Sequence, residues 1–279
     1  MLREATRVLQ AAEVPSPRID AEILLAHVVG VARPEVVRRA LLGQPLDEAE
    51  HTAYLGLVDE RAARVPLQHL TGAASFAGLD LAVGPGVFVP RPETETLVEL
   101  AVEAATGLDD AMVVDLCSGS GAIALAVKHR VPSAQVVGVE ISPEAHAWAL
   151  HNALRTGLDV EMRQGDARAA GEELLGRVDL VTCNPPYIPL GAVPVDPEVR
   201  DHDPQVALYG GSDDGLHLPI AMAARASQLL RPGGVLLVEH ADTQGETLPA
   251  ALDAQRVWRE VTDHADLTGR PRVTRAVRR

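Results

Sequence analysis

The stretch VVDLCSGSGAIALAV (113–127) reads as a β-strand, a glycine-containing turn and an α-helix in direct succession. Strand-like runs follow at 135–140, 159–164, 178–183 and 234–239, with helical patterns between them. Alternating β and α units predict an α/β fold with a mainly parallel, doubly wound sheet and right-handed crossovers. Two more strand-like runs, 257–264 and 271–277, are separated only by a short turn region around Gly269-Arg270-Pro271, which predicts an antiparallel closing pair. The arginines of RPRVTRAVRR (270–279) read as a solvated edge strand, with a minor anionic contact as the other reading.

Upstream the pattern changes. Residues 1 to about 72 read as helices only. Ser16-Pro17 supplies a cap and a first-turn proline, Ile19, Ile23, Leu24 and His27 mark one face, and Gly30 ends the helix. Further helical pieces at 34–42, 47–64 and 66–71 complete a small bundle. Residues 73–90 carry hairpin chemistry: alternating apolar residues broken by Gly78, Gly84, Pro85 and Gly86. Pro92, with Glu93 and Glu95 behind it, opens a helix running to about Thr106. The expected organisation is a helical domain (1–72), a β-hairpin linker (73–90) and an α/β domain (91–279).

Composition narrows the function. Of 279 residues 47% are hydrophobic, enough for a sizeable core, but only 3% are aromatic, so that core is built from Ala, Val and Leu. The formal net charge is −14 and Lys128 is the only lysine, which works against sequence-blind phosphate binding. The two cysteines, Cys117 and Cys183, have neither metal-ligand spacing nor a disulfide framework, and no metal site is expected. The N-terminus mixes acids among its apolar residues, unlike a signal peptide, and no apolar run nears the ~20 residues of a membrane span. The expected location is the cytoplasm.

Ligands of a doubly wound sheet sit at the carboxyl ends of its strands. At the first tip, Gly119 and Gly121 let the backbone turn tightly and approach a ligand. Ala124 at the third glycine position breaks the dinucleotide fingerprint, and the Gly-Lys-Ser/Thr of a phosphate loop is missing. At the second tip Glu140, 19 residues past Gly121, can accept hydrogen bonds from both hydroxyls of a ribose. At the third, Asp166 can accept from an adenine amino group. Taken singly, these are a βα turn, a surface Glu before a capped helix and a turn Asp. Together they outline an adenosine site without a phosphate cradle, which S-adenosylmethionine fits.

The fourth tip is CNPPYIP (183–189). Two prolines fix φ and carry no N–H, so the Asn184 side-chain oxygen and the Pro185 carbonyl oxygen can stand as two fixed acceptors. Their natural partner is an –NH2 group with two donors, and Tyr187 offers a flat face to a planar amide or base. A bare Asn-Pro-Pro-Tyr is otherwise a stiffened loop. Beside an adenosine site it reads as a clamp that turns a poorly nucleophilic nitrogen toward a methyl donor, with positioning as the main lever. Asn184 is neutral and is no general base.

These residues resemble the glutamine-N5 methyltransferases of peptide chain release factors over nearly the whole chain. The resemblance lies in SPRIDAEILLAHVVG (16–30), RVPLQHLTG (64–72), VFVPRPETETLVE (87–99), LYGGSDDGL (208–216), LLRPGGVLLVEHADTQG (229–245) and DLTGRPRVTRA (266–276). It implies a Rossmann-like methyltransferase sheet preceded by a helical domain that grips the release factor. It implies methylation of the side-chain amide of the glutamine in the Gly-Gly-Gln loop, with S-adenosylhomocysteine as product. Cys117, Ser118, Gly119, Ser120, Gly121, Glu140, Asp166, Ala167 and Asn184 would hold the cofactor. Asn184, Pro185, Pro186 and Tyr187 would hold the glutamine, Asn184, Pro185 and Tyr187 acting in catalysis.

Arg91 and Glu93 are candidates to touch the substrate loop, or simply a charge pair at a helix start. Five positions depart from the family's pattern: Cys117 and Ser118 for Gly and Thr, Glu140 for the commoner Asp, Ala167 for a larger residue against adenine, and Ala241 for glycine. The protein is expected to be a monomer that binds no nucleic acid directly. The alternative is an amino methyltransferase acting on adenine or guanine of RNA or DNA. A ligand-binding protein without catalysis is a third reading, which the intact Asn184-Pro185-Pro186-Tyr187 argues against.

Overall fold

A computed structural model describes all 279 residues, in two compact units. The first comprises Met1–Ala73 and Pro194–His202, the second Ala74–Val193 and Asp203–Arg279.

The first unit is helical: α1 (Leu2–Ala11), α2 (Pro17–Val29), α3 (Arg33–Leu41), α4 (Glu48–Ala62) and α5 (Leu67–Thr71). Leu9, Leu24, Tyr54 and Val58 fill its core, and the Tyr54 hydroxyl donates to the Ala21 carbonyl at 3.1 Å. As read from the sequence, α2 starts on Pro17 and ends at Gly30, whose φ of 67° only glycine adopts cheaply. Ser16, however, makes no side-chain cap: its ψ of 58° lies outside the extended region that aims a cap hydroxyl at the first turn. Asp47 caps α4 instead, accepting from Glu50 N (2.8 Å) while Glu50 accepts from Asp47 N (3.0 Å).

A segment far along the chain belongs to this unit. Glu198, on α9 (Pro197–His202), receives Arg61 Nη1 and Arg64 Nη2, each at 2.7 Å, and Arg61 also donates to Asp20 at 2.8 Å. Burial alone would raise the Glu198 carboxyl; the two guanidinium groups outweigh it and hold it at about 2. The buried Arg61 guanidinium is thereby paired, as a buried charge must be.

The second unit begins with the hairpin β1 (Ala73–Phe76) and β2 (Leu79–Ala82), turned by Ala77 and Gly78 with φ of 47° and 84°, the doubly positive signature of a tight hairpin turn. A 3-10 turn, Pro92–Thr94, leads into α6 (Glu95–Ala105). Then follow β3 (Met112–Leu116), α7 (Ala122–Arg130), β4 (Gln135–Glu140), α8 (Pro143–Thr156), β5 (Val160–Gln164) and β6 (Val178–Cys183). After α9 come α10 (His217–Leu229), β7 (Leu230–Glu239), α11 (Thr247–Asp253), β8 (Trp258–Ala265) and β9 (Pro271–Arg278).

The seven-stranded sheet runs β5-β4-β3-β6-β7-β9-β8, parallel from β5 to β7, with β9 antiparallel to both neighbours. Strand order reverses on either side of β3, so the β3 and β6 tips flank the switch point where doubly wound sheets bind ligands. Ala, Val and Leu dominate both core layers, as the scarcity of aromatics requires.

The edge-strand reading of 270–279 is corrected. β9 lies between β7 and β8, and β8 is the edge. The arginines are tolerated on an inner strand because they have partners: Arg272 faces Asp266 at 3.4 Å, Arg278 donates to Leu230 O at 3.2 Å, and Arg279 donates to Trp258 O at 2.6 Å.

Candidate active site

The loop after β3 is held by Glu140. Its Oε2 accepts from Gly119 N at 2.7 Å and its Oε1 from Ser142 N at 2.8 Å. Each oxygen keeps a free acceptor direction, so the tip of β4 both fixes the loop and presents a carboxylate. Gly119 and Gly121 have φ of 55° and 81°, and a Cβ on Gly119 would meet open space, leaving room against the backbone. Cys117 also has a left-handed φ of 63°. The family's usual glycine takes that conformation freely, whereas cysteine carries a Cβ penalty. The Cys117 side chain faces that of Cys183 at the end of β6, and burial pushes the Cys183 thiol up.

Asp166 follows β5, near Glu140 through the 2.8 Å bond from Gly165 N to the Glu140 carbonyl. Its carboxylate is gripped by Arg168, with Nη2 at 2.6 Å, and this guanidinium holds it below the usual range. Any ligand amino group would share that carboxylate with Arg168. Ala167 is buried in the core layer beside β3 and β4 and offers no ring to stack on. Ser118 and Ser120 are buried, the Ser118 hydroxyl donating to Asp115 O at 3.0 Å. Carboxylates at two tips, an open glycine turn and no Lys or Arg in the 117–121 loop suit an adenosyl group rather than a phosphate. The residues present therefore fit S-adenosylmethionine.

At the end of β6, Asn184 is half-buried and Pro185 buried. Asn184 Nδ2 donates to Thr94 Oγ1 at 3.4 Å. The Tyr187 hydroxyl donates to Glu239 Oε1 at 3.3 Å. The loop is clamped from behind by Gln244, whose Nε2 reaches Tyr187 O at 3.0 Å and Asp214 O at 2.8 Å. The Ile188–Tyr209 bridge adds a further tie, so LYGGSDDGL packs under the Pro-Pro-Tyr turn. Ala241 has φ of −65°, which any residue adopts, so alanine replaces the family's usual glycine without backbone strain.

Arg91 and Glu93 part company. Arg91 donates to Asp203 at 2.7 Å and lies 5.1 Å over the Phe88 ring. Glu93 is exposed, and its charge acts on Tyr187 and Glu239. Sequence reasoning missed Thr94, Glu239, Gln244 and Asp115. The first three lie inside the motifs VFVPRPETETLVE and VEHADTQG; Asp115 lies in the strand before the glycine loop, hidden among apolar neighbours.

Asp115 and Glu239 are fully buried carboxyls, and burial pushes each up to about 7. Thr182 Oγ1 donates to Asp115 Oδ1 at 2.8 Å, and Oδ2 has no partner. Between about pH 4 and pH 7 the folded chain holds protons that the unfolded chain has released, so stability falls as pH rises through that window. Each group can withdraw on the order of 3–4 kcal/mol. Thermal unfolding should show a lower Tm at about pH 8 than at about pH 5.5, and Asp115→Asn should flatten the slope. A Tm that rises over this range would contradict the assignment.

Comparison with known proteins adds the following. Residues 1–72 match the PrmC N-terminal domain family and residues 108–275 a methyltransferase domain family. The release factor glutamine methyltransferase of Streptomyces coelicolor is 49% identical over 277 residues, covering 98% of this chain and 95% of that one. That of Mycolicibacterium smegmatis is 48% identical over 277 residues, covering 99% and 96%. Among solved structures, a methyltransferase from Pyrococcus furiosus superposes with a TM-score of 0.52 at 16% identity, over 72% of this chain and 89% of that one, a likeness of fold.

Proposed function

The chain belongs to the release factor glutamine methyltransferase family, and from that premise we propose that the tips of β3, β4, β5 and β6 form its methyl-transfer site. It is an S-adenosylmethionine-dependent methyltransferase that methylates a release factor glutamine. We place the methyl on the side-chain amide nitrogen (N5) of the glutamine in the Gly-Gly-Gln loop.

S-adenosylmethionine, when bound, supplies an electrophilic methyl group on a sulfonium. Residues 117–121 and Glu140 hold the adenosyl end, with Asp166 and Ala167 at its base edge. Asn184 Oδ1 and the Pro185 carbonyl accept the two hydrogens of the glutamine –NH2, while Pro186 stiffens the turn and Tyr187 packs on the amide plane. An amide lone pair is delocalised into its carbonyl. Binding both hydrogens to fixed acceptors turns the nitrogen toward tetrahedral geometry and aims the lone pair. Positioned reactants gain on the order of 7–11 kcal/mol over free encounter. The proton leaves after transfer, when the methylated nitrogen is acidic, so no strong base is required.

The observation that carries this reading is the Asn184 amide: its nitrogen end is engaged by Thr94, leaving the oxygen end to accept. The helical unit's task is to grip the release factor. Glu93 remains a candidate for touching the substrate loop, whereas the Asp203 and Phe88 contacts favour a structural role for Arg91. The protein works as a cytoplasmic monomer without direct nucleic-acid contact; no helix is long and apolar enough to cross a membrane.

The test is transfer of labelled methyl to a purified release factor, beside a copy with its loop glutamine changed to alanine and beside total RNA. Label on the unaltered factor alone is expected. Label on RNA and none on the factor would overturn the substrate assignment in favour of a nucleic-acid amino methyltransferase.

A further inference from the structure

The two ends of an asparagine amide are nearly isosteric, and a half-turn about its last side-chain torsion exchanges acceptor for donor. A clamp that needs Oδ1 toward the substrate therefore needs something to hold Nδ2 away from it. Thr94 Oγ1, 3.4 Å from Asn184 Nδ2, is that partner. Thr94 is only 4% exposed, at the last position of the 3-10 turn before α6.

A hydroxyl both donates and accepts, so Thr94 alone does not choose between the two amide orientations. It chooses only if its own proton is directed elsewhere. Glu239 supplies the acceptor. It is 2% exposed at the tip of β7, its Oε1 takes the Tyr187 hydroxyl, and its Oε2 is buried without a partner in hydrogen-bonding geometry. Burial raises this carboxyl, and the Thr94 hydroxyl beside it acts the other way, favouring the ionised form. Above about pH 7, where it is ionised, this carboxylate only accepts, so it orients both neighbouring hydroxyl donors toward itself.

We infer that Thr94 and Glu239 are positioning residues for methyl transfer: the buried Glu239 carboxylate draws the hydroxyl protons of Thr94 and Tyr187, and Thr94 in turn draws Asn184 Nδ2, so that Asn184 Oδ1 faces the substrate amide. This rests on the clamp reading of Asn184 given above. One buried carboxyl thus sets both side chains that flank the two prolines.

The experiment compares Thr94→Val, Thr94→Ser, Glu239→Gln and Asn184→Ala on the full chain. Single-turnover methyl transfer to the release factor is measured beside S-adenosylmethionine affinity by calorimetry and Tm by thermal unfolding. Thr94→Val keeps the shape and removes the hydroxyl. It should lower the transfer rate roughly 10- to 100-fold with cofactor affinity and Tm little changed. Thr94→Ser restores the hydroxyl and should recover most of the rate. Glu239→Gln can donate as well as accept and should fall with Thr94→Val.

A Thr94→Val rate within about threefold of wild type would overturn the inference, as would a serine variant as slow as valine, which would mean that packing and not the hydroxyl matters. If Thr94→Val does not fold, an undiminished Glu239→Gln rate overturns it by itself. Loss in Asn184→Ala without loss in Thr94→Val removes this inference alone; an active Asn184→Ala removes the clamp reading beneath it.

Discussion

Asn184→Ala should bind S-adenosylmethionine nearly as well as wild type and transfer methyl roughly 10²- to 10³-fold more slowly, the loss typical of removing one preorganised contact to a reacting group. The side chain sits at the end of β6, after the last sheet pairing of Cys183 with Val238, so truncation leaves the strand register intact. In the proposed clamp it removes the acceptor for one hydrogen of the substrate nitrogen, and the Pro185 carbonyl alone would not fix the lone pair. In the proposed site the cofactor is held chiefly by Glu140 and the 117–121 loop, which Glu140 itself fixes through Gly119 N and which makes no hydrogen bond to Asn184. Single-turnover transfer and calorimetry separate the two effects. Turnover equal to wild type would sink the clamp mechanism.

Gly215→Ala should be among the most damaging single changes outside the reacting groups. Gly215 has φ of 73°, and a Cβ there would lie 2.1 Å from the Tyr187 carbonyl oxygen and 2.9 Å from Gln244 Nε2. The first contact is with backbone, so no rotamer change relieves it. The Tyr187 carbonyl must move, and with it the Gln244 clamp that joins Tyr187 O to Asp214 O. Strain and lost contacts together should cost about 4 kcal/mol, at the upper end for point substitutions. Methyl transfer should fall further than stability alone explains.

Gly157→Ala is the control for that clash. Its φ of 66° is equally left-handed, but a Cβ there meets nothing within 4 Å, so only the conformational cost of roughly 1–2 kcal/mol applies. Urea unfolding of the two variants measures the difference. Equal losses would show that the clash with Tyr187 is not the cause.

Much of the molecule is legible in its sequence because the signals are local. The β-α alternation, the glycine turn before α7, the capped helix after Glu140 and the acids at strand tips are patterns a few residues long, set by backbone sterics and apolar periodicity. Ser142 does cap α8, accepting from Ala145 N at 3.3 Å. Relatives matched over nearly the full chain bear out the resemblance those motifs carried.

Where the sequence misled, a distant partner decided. The arginine-rich C-terminal strand looks like an edge until Asp266, Leu230 O and Trp258 O are found beside it. Arg91 gives no local sign of its contact with Asp203, 112 positions on, to which its Nη2 donates. Residues 194–202 read as part of the second domain, yet Glu198 joins the helical unit through Arg61 and Arg64, more than 130 positions earlier.

By itself, then, the sequence determined the strands and helices, the parallel doubly wound class of the sheet and the residue types its tips present, because each follows from neighbours along the chain; the side-by-side order of the strands came from the fold. Only the tertiary structure decided which way Asn184 faces. Its partner Thr94 lies 90 positions away, and Glu239 a further strand beyond, and a hydrogen bond's direction depends on which donors and acceptors the fold brings together.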